Sequence, residues 1–497
     1  MSNSNSNQHG KRERPHSSGS IDSIESIEST IPRQKKQRTT TYHNDEEARL
    51  GKWDLIIEGN VENLSNMTIE SLFHACWANR LDIAKILIQR YGININEINC
   101  TGKSLLHDQS ILRNIDCVHF LLEHGINVNI RKLKTKRTPL YIACKHDLAE
   151  CIPLLLEKGA DPKLSDINYI TPLYLACKNG YVESARLILE HSINTLDTAR
   201  DNSYTPLIIS CLYNQVECVR LLLEKGADTT KVKKNRVTPL YLACQEGHVE
   251  CASLILEHST ESIQRYTKNG TTPLSIACKN GHIECVRLLL EKGADINHKT
   301  RKFSKTPLFI ACEYGQIECV RLLLEKGVDI SKSNKFGVTP LLIACKYDYV
   351  ECVRLLLEKG ADTTKADRYG TTPIYITCQK GYIDCVRTLL HYGVSVVNKK
   401  CINVAINKKH WIIVSLLLDY GAPIDERYNI LRPQRIHSIE DKCAICMDST
   451  KDLVLLAPCG HSCCCRDCMI PMISDDMLKC PLCRIKVACT LLLPKRD

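Results

Sequence analysis

The feature that most constrains this chain is a triplet that keeps returning. Thr-Pro-apolar begins at Thr138, Thr171, Thr205, Thr238, Thr272, Thr306, Thr339 and Thr372, always 33 or 34 residues after the previous copy. A period that tight specifies an array of like units, each of which buries its apolar face only by stacking on a neighbour. The copy from Thr306 reads TPLFIACEYGQIECVRLLLEKGVDI. Its Thr can cap a helix with the hydroxyl, and Pro at the first helical position wastes no donor. A short helix with a small inner side (Ile310, Ala311, Cys312) leads through a turn at Gly315 to a second helix. There Ile317, Val320, Leu323 and Leu324 follow 3.6-residue spacing, while Glu318, Arg321 and Glu325 face outward. Gly327 stands where a left-handed cap is wanted, and the polar stretch beyond it is long enough for an exposed hairpin. The pattern predicts a mostly α solenoid of helix-turn-helix plus hairpin units.

This unit resembles the ankyrin repeat in its Thr-Pro-Leu opening and Gly-Ala-Asp close. The family's His after Leu is replaced by Tyr141, Tyr174, Ile208, Tyr241, Ser275, Phe309, Leu342 and Tyr375. That His usually bridges neighbouring repeats by hydrogen bonds, so its loss predicts joints resting more on apolar contact. Weaker copies occupy 70–92, 104–125 and 401–422, and 46–64 reads as a partial capping unit. The expected array is about 11 repeats over residues 46–425.

Cysteine is unusually common, at 29 residues against 27 aromatics. The N-terminus, MSNSNSNQHGKRERPHSS, has no apolar core for a signal peptide, and no apolar run reaches the roughly 18 residues a membrane span needs. The expected setting is a reducing, cytoplasmic one, without membrane association, in which thiols stay free or bind metal. Two slots of the repeat hold most of them. Six after Thr stand Cys144, Cys177, Cys211, Cys244, Cys278, Cys312, Cys345 and Cys378. Thirteen after Thr stand Cys151, Cys218, Cys251, Cys285, Cys319, Cys352 and Cys385, with Ser184 the exception. No His or carboxylate recurs beside them, so these thiols read as small hydrophobes in the core.

Net charge is +10, modest for 497 residues. Residues 1–45, rich in Ser and Asn with basic clusters at 11–14 and 33–38, have too little apolar surface to offset ordering and are expected to be disordered. The clusters read either as a nuclear import signal or as solvated charge. The hairpin stretches 131–137, 231–236 and 299–305 carry five, four and four bases and no acid. Aligned along one edge, they could steer an acidic protein partner. A nucleic-acid reading of the basic hairpins would need interleaved aromatics for stacking, which are not expected along them.

Residues 426–442 read as a linker, after which chemistry changes. Two pairs, Cys443-x2-Cys446 and Cys480-x2-Cys483, bracket Cys459-x-His461 and Cys465-x2-Cys468. A two-residue gap lets both thiolates of a pair turn onto one ion, and eight ligands make two tetrahedral structural zinc sites. A segment spanning only 443–487 is too short for a self-sufficient core, so metal must supply much of its stability. The order of ligands resembles the C3HC4 RING finger, and its Cys-Gly-His centre resembles RINGs of the inhibitor-of-apoptosis type. The resemblance implies interleaved sites, one zinc on Cys443, Cys446, Cys465 and Cys468, the other on Cys459, His461, Cys480 and Cys483. Cys464 competes with Cys465 as a ligand; only Cys465 leaves a two-residue gap before Cys468.

The same resemblance implies an E3 ubiquitin ligase acting without a covalent intermediate. Such a RING recruits a ubiquitin-conjugating enzyme and orients its ubiquitin for attack by a substrate lysine. By position, Ile445 and Pro481 would seat the conjugating enzyme, and Arg484 would be the linchpin cation joining it to ubiquitin. The ankyrin array would select the protein substrate. The alternative is a non-catalytic scaffold whose zinc module only binds partners. In the tail, 488–497, alternating Cys489, Leu491 and Leu493 continue a strand pattern from Ile485 and Val487. Related RINGs dimerise through such a tail, but the aromatic usual near its end is missing here, which leaves dimerisation open.

Overall fold

The computed structural model describes residues 68–198, 204–396 and 399–423 in full, and the backbone of three strands between 453 and 492. Among the described residues, eleven pairs of short helices follow one another in sequence. Residues 68–99 form one unit, with helices Ile69–Trp77 and Leu81–Gln89. The remaining ten pairs belong to a second unit.

Each of the eight regular repeats begins as the sequence dictates. The Thr hydroxyl accepts the backbone N–H three residues on, as in Thr138 to Tyr141 (3.2 Å) and Thr306 to Phe309 (3.2 Å). Pro occupies the first turn of every one of these helices, from Pro139–Lys145 to Pro373–Lys380. Leu140, Leu207, Leu240 and Leu308 are completely buried, as are the Ala-Cys pairs at the inner side. The second helices, such as Ile317–Glu325, bury Cys319, Val320 and Leu323. They carry Glu–Arg pairs three residues apart on the outside (Glu318–Arg321, 3.4 Å).

The turn between the two helices is left-handed in all eight repeats. Five use Gly (Gly180, Gly247, Gly281, Gly315, Gly381) and three use Asp147, Asn214 and Asp348 at φ between 51° and 63°. The glycines serve a second purpose. A Cβ on Gly315 would lie 2.6 Å from the Tyr349 ring of the next repeat, and one on Gly247 would lie 2.6 Å from His282. Where Asp or Asn replaces Gly, the thirteenth-slot residue of the next repeat reaches it. Ser184 Oγ donates to Asp147 (2.8 Å), and Cys251 Sγ to Asn214 (3.5 Å). The single Ser in the cysteine slot is therefore a stronger donor for a carboxylate.

The joints are more polar than the missing His predicts, and that expectation is corrected. Ten residues after Thr, a different position takes over the bridging role. Gln215 donates to the Lys178 carbonyl (3.1 Å), Gln316 to that of Lys279 (3.0 Å), and His282 reaches that of Gln245 (3.0 Å). The irregular repeat at 104–125 keeps the family's arrangement. Its His107 Nδ1 accepts from the Ser104 N–H (3.1 Å), which leaves Nε2–H to donate to the Arg137 carbonyl (2.8 Å). Burial, with Lys132 and Lys103 nearby, pushes its pKa down to about 4, so the ring is neutral.

Near the C-terminus, strands β1 (Leu453–Ala457), β2 (His461–Cys465) and β3 (Cys489–Leu492) form an antiparallel sheet in the order β2-β1-β3. Leu456 pairs with His461 and Leu453 with Cys465, the register shifting between Val454 and Leu455. The alternating tail does contain a strand: Ala457 pairs with Cys489 and Val454 with Leu492.

Candidate functional site

Two parts of the molecule carry chemistry. The first is the zinc module, where the side chains of the candidate zinc ligands Cys443, Cys446, Cys459, His461, Cys465, Cys468, Cys480 and Cys483 lie outside the described residues. So do Ile445, Pro481 and Arg484. The backbone places His461 and Cys465 at the two ends of β2, with Cys463 and Cys464 between them. Seven thiols and one imidazole, paired at two-residue or one-residue gaps, make a donor set that suits zinc and leaves no hard oxygen ligand for calcium or magnesium.

The array cysteines are of another kind. Among the described residues, no group of three or more His, Cys, Asp or Glu could hold a metal ion. All fifteen slot cysteines are buried. Thiols of adjacent repeats meet at the joints, Cys177 hydrogen-bonding Cys218 and Cys244 hydrogen-bonding Cys285. Desolvation pushes Cys319 up to about 11 and Cys352 up to about 12, so these sulfurs stay protonated and apolar.

The second part is the hairpin edge. The described hairpins close on themselves by two backbone bonds, for example Thr267 N–H to Thr271 with Gly270 N–H to Thr267, and Asn334 N–H to Val338 with Gly337 N–H to Asn334. Each then joins the one before it: Lys268 N–H to Asn235, Arg301 to Asn269, Lys335 to Phe303 and Arg368 to Phe336, all at 2.9–3.0 Å. This stitching brings equivalent positions into a row. One residue into the hairpin, five consecutive repeats present Lys234, Lys268, Arg301, Lys335 and Arg368, every one exposed. Among the described residues, none of the five is paired with a carboxylate. By contrast, Lys305 is tied to Glu313 (2.6 Å), and Arg137 to the buried Asp166 (3.6 Å).

The expectation that aromatics are not interleaved with these bases is overturned. Arg236 and Arg301 both lie over the Tyr266 ring (5.4 and 4.6 Å), and Arg301 donates to its hydroxyl (2.7 Å). Lys302 and Lys335 flank Phe303 (5.1 and 4.8 Å), and Lys233 covers Tyr204 (4.4 Å). The ring and the cation often come from different hairpins, and of these rings only Phe303 lies inside a basic run. A signal was nonetheless present: Phe303, Phe336 and Tyr369 recur three residues before Thr. Phe336 and Tyr369 border a cleft of about 350 Å³ with Val338, Leu342 and Ile376. Its one carboxylate, Asp367, accepts from the Tyr369 and Thr371 N–H groups of its own turn.

Comparison with known proteins fits this description. The family model for ankyrin repeats matches residues 72–166, 140–233, 229–300 and 297–367, and a single-repeat model matches 369–402. The chain belongs to the ankyrin-repeat family. Its C-terminal part, over residues 439–490, matches the C3HC4-type (RING finger) zinc-finger model, so the protein is an ankyrin-repeat chain with a C-terminal zinc-binding RING. It is 34% identical over 65 residues to the E3 ubiquitin-protein ligase KEG of Arabidopsis thaliana, and 32% identical over 74 residues to protein phosphatase 1 regulatory subunit 27 of Mus musculus. These stretches are 13% and 15% of this chain and span 4% and 47% of the relatives. Among solved structures, the human ASB11 ankyrin repeat domain is 27% identical with a TM-score of 0.41, covering 46% of this chain and 99% of that one. The ankyrin repeat domain of Bcl-3 is 26% identical with the same TM-score, covering 44% and 98%.

Proposed function

We propose that this protein is a RING-type E3 ubiquitin ligase whose ankyrin array binds the substrate. The observation that carries the reading is the union on one chain of an ankyrin array and a C3HC4 RING over residues 439–490. The similarity to an E3 ubiquitin-protein ligase over 65 residues supports it. In this reading two structural zincs are held, one by Cys443, Cys446, Cys465 and Cys468, the other by Cys459, His461, Cys480 and Cys483. Zinc sites fully ligated by protein have no open position to activate water, so the ions shape the module and chemistry stays with the conjugating enzyme. Ile445 and Pro481 seat that enzyme. Arg484, with its forked donors, holds it and ubiquitin in the reactive pose.

The test is autoubiquitination of the purified full chain with a panel of conjugating enzymes. Activity is expected with at least one of them. Arg484→Ala should lower the rate of ubiquitin discharge to free lysine by about tenfold or more, equivalent to ~1.4 kcal/mol of orientation, with two zincs still bound. A wild-type chain inactive with every conjugating enzyme would leave the scaffold reading in its place.

A further inference from the structure

The row of bonds between hairpins has an open end. Asn235, Asn269, Phe303 and Phe336 each give a carbonyl to the next hairpin, where Lys268, Arg301, Lys335 and Arg368 supply the N–H. Tyr369 continues that series, three residues before Thr372 as Phe336 is three before Thr339. Among the described residues, no N–H reaches the Tyr369 carbonyl. The chain is short just beyond it. Lys409, left-handed at φ 62°, stands nine residues after Lys400 as Gly381 stands nine after Thr372, so Lys400 holds the Thr place of the last repeat. Thr372 follows the closing Gly360 by 12 residues, whereas Lys400 follows Gly393 by only 7.

Two clefts border this end. The first, of about 350 Å³, lies between hairpin residues Phe336, Val338 and Tyr369 and helix residues Leu342 and Ile376. The second, of about 590 Å³, is lined by Tyr369, Thr371, Tyr375, Gln379, Lys400 and Asn403. Tyr369 and Thr371 belong to both. The first wall is mostly apolar and has room for one large hydrophobic side chain; the second presents hydroxyl, amide and ammonium groups. Tyr369 is 82% exposed, and Phe336 is exposed beside it. The charge is one-sided. Lys346 lines the first cleft, Lys400 the second, and Lys335 lies over the Phe336 ring at 4.9 Å. Among the described residues lining either cleft, the only carboxylate is Asp367, already engaged by two N–H groups of its own turn.

We propose that this end of the hairpin edge is a docking site for an extended acidic segment of a partner protein, which adds itself as the next rung. One of its backbone N–H groups donates to the Tyr369 carbonyl. An aromatic or branched aliphatic side chain fills the cleft between Phe336 and Ile376, and flanking carboxylates meet Lys335, Lys346 and Lys400. An extended segment suits the acceptor because its N–H groups lie along its edges, free to pair with a neighbouring chain. A basic segment would meet like charge. A nucleic-acid strand is the poorer fit, since its phosphate backbone has no N–H to give. The inference rests on the ligase reading only in calling the partner a substrate, and binding is measured without ubiquitin, so an inactive RING and an empty site give different results.

The experiment selects phage-displayed random peptides on the purified full chain at low salt. The enriched peptide, labelled with fluorescein, then serves as the probe in fluorescence anisotropy. Enriched peptides should carry one Phe, Tyr, Leu or Ile flanked by acids. Phe336→Ala/Tyr369→Ala and, separately, Lys335→Glu/Lys346→Glu should each weaken the probe about tenfold or more. Helical circular dichroism should be unchanged, because all four side chains are exposed. Replacing the probe's peptide bonds one at a time by esters, which lack the N–H, should cost about fivefold at a single position. Absence of any enriched peptide, or a basic consensus, would overturn the acidic ligand. Indifference of the probe to both double variants would overturn the site, and equal affinity of every ester probe would overturn the added rung. A wild-type chain that is dimeric by light scattering, and monomeric as Phe336→Ala/Tyr369→Ala, would assign this end to a second copy instead. A single-stranded oligonucleotide that displaces the probe at lower concentration than the unlabelled peptide would overturn a protein partner.

Discussion

The array and the zinc module use the same residue in opposite states. In the array, cysteine is a neutral packing atom: Cys151, Cys251 and Cys352 are buried, and desolvation pushes each up to about 12. In the RING, a ligand must be a thiolate, because zinc binds the deprotonated sulfur. The array reaches stability by repetition, with each joint burying two helices, a left-handed turn and a hairpin bond. The RING is too short for that, and its stability comes from metal. One chain thus contains a region that folds by accumulating modest contacts and a region that folds by a few strong bonds.

Removing zinc should break the comparison most sharply. A structural zinc site contributes on the order of 10 kcal/mol of apparent binding free energy at neutral pH. Chelation should therefore unfold residues 439–490 outright, seen as full amide exchange across that segment, while the helical signal of the array is unchanged. Loss of array helicity on chelation would show that the two regions do not fold independently.

Within the array the expected effects are smaller and graded by burial. Leu308 is completely buried at the start of helix Pro307–Tyr314. Leu308→Ala should cost about 2–5 kcal/mol in denaturant unfolding, and zinc content should stay the same. Because repeats couple only to neighbours, exchange should quicken first around residues 273–358.

How much of this was legible beforehand follows from where each signal lies along the chain. The helices, the Thr caps and the buried Leu and Cys positions were readable because caps and 3.6-residue spacing are local. The polar joints were not. Gln215, His282 and Gln316 look like ordinary turn residues until stacking sets them against the preceding repeat's carbonyls. Ser184 likewise looked like noise until Asp147 appeared across the joint. The cation–aromatic contacts were missed for the same reason, since Tyr266 and Arg301 are partners 35 residues apart. Local rules reveal elements, whereas the surfaces between repeats emerge only after stacking. In the RING the order reverses. Its ligand spacing was legible at once, because metal coordination writes itself into sequence as short gaps. The roles proposed for Ile445, Pro481 and Arg484 depend on how a folded module meets its partners, which spacing does not encode.

The smallest effect refines the contrast between the two faces of the array itself. Glu318 and Arg321 are exposed and 3.4 Å apart on an outer helix, and four other repeats carry an equivalent pair. A double-mutant cycle with Glu318→Ala and Arg321→Ala should give a coupling of only about 0.3 kcal/mol, falling further in salt. The pairs therefore contribute little to stability, and what they do is cancel charge locally on the outer helices. The hairpin edge carries the same number of cations in the same repeating register with no such partners. If the measured coupling instead exceeded about 1 kcal/mol, pairing would be a structural need. The unpaired ladder would then be a departure from that need which the fold tolerates.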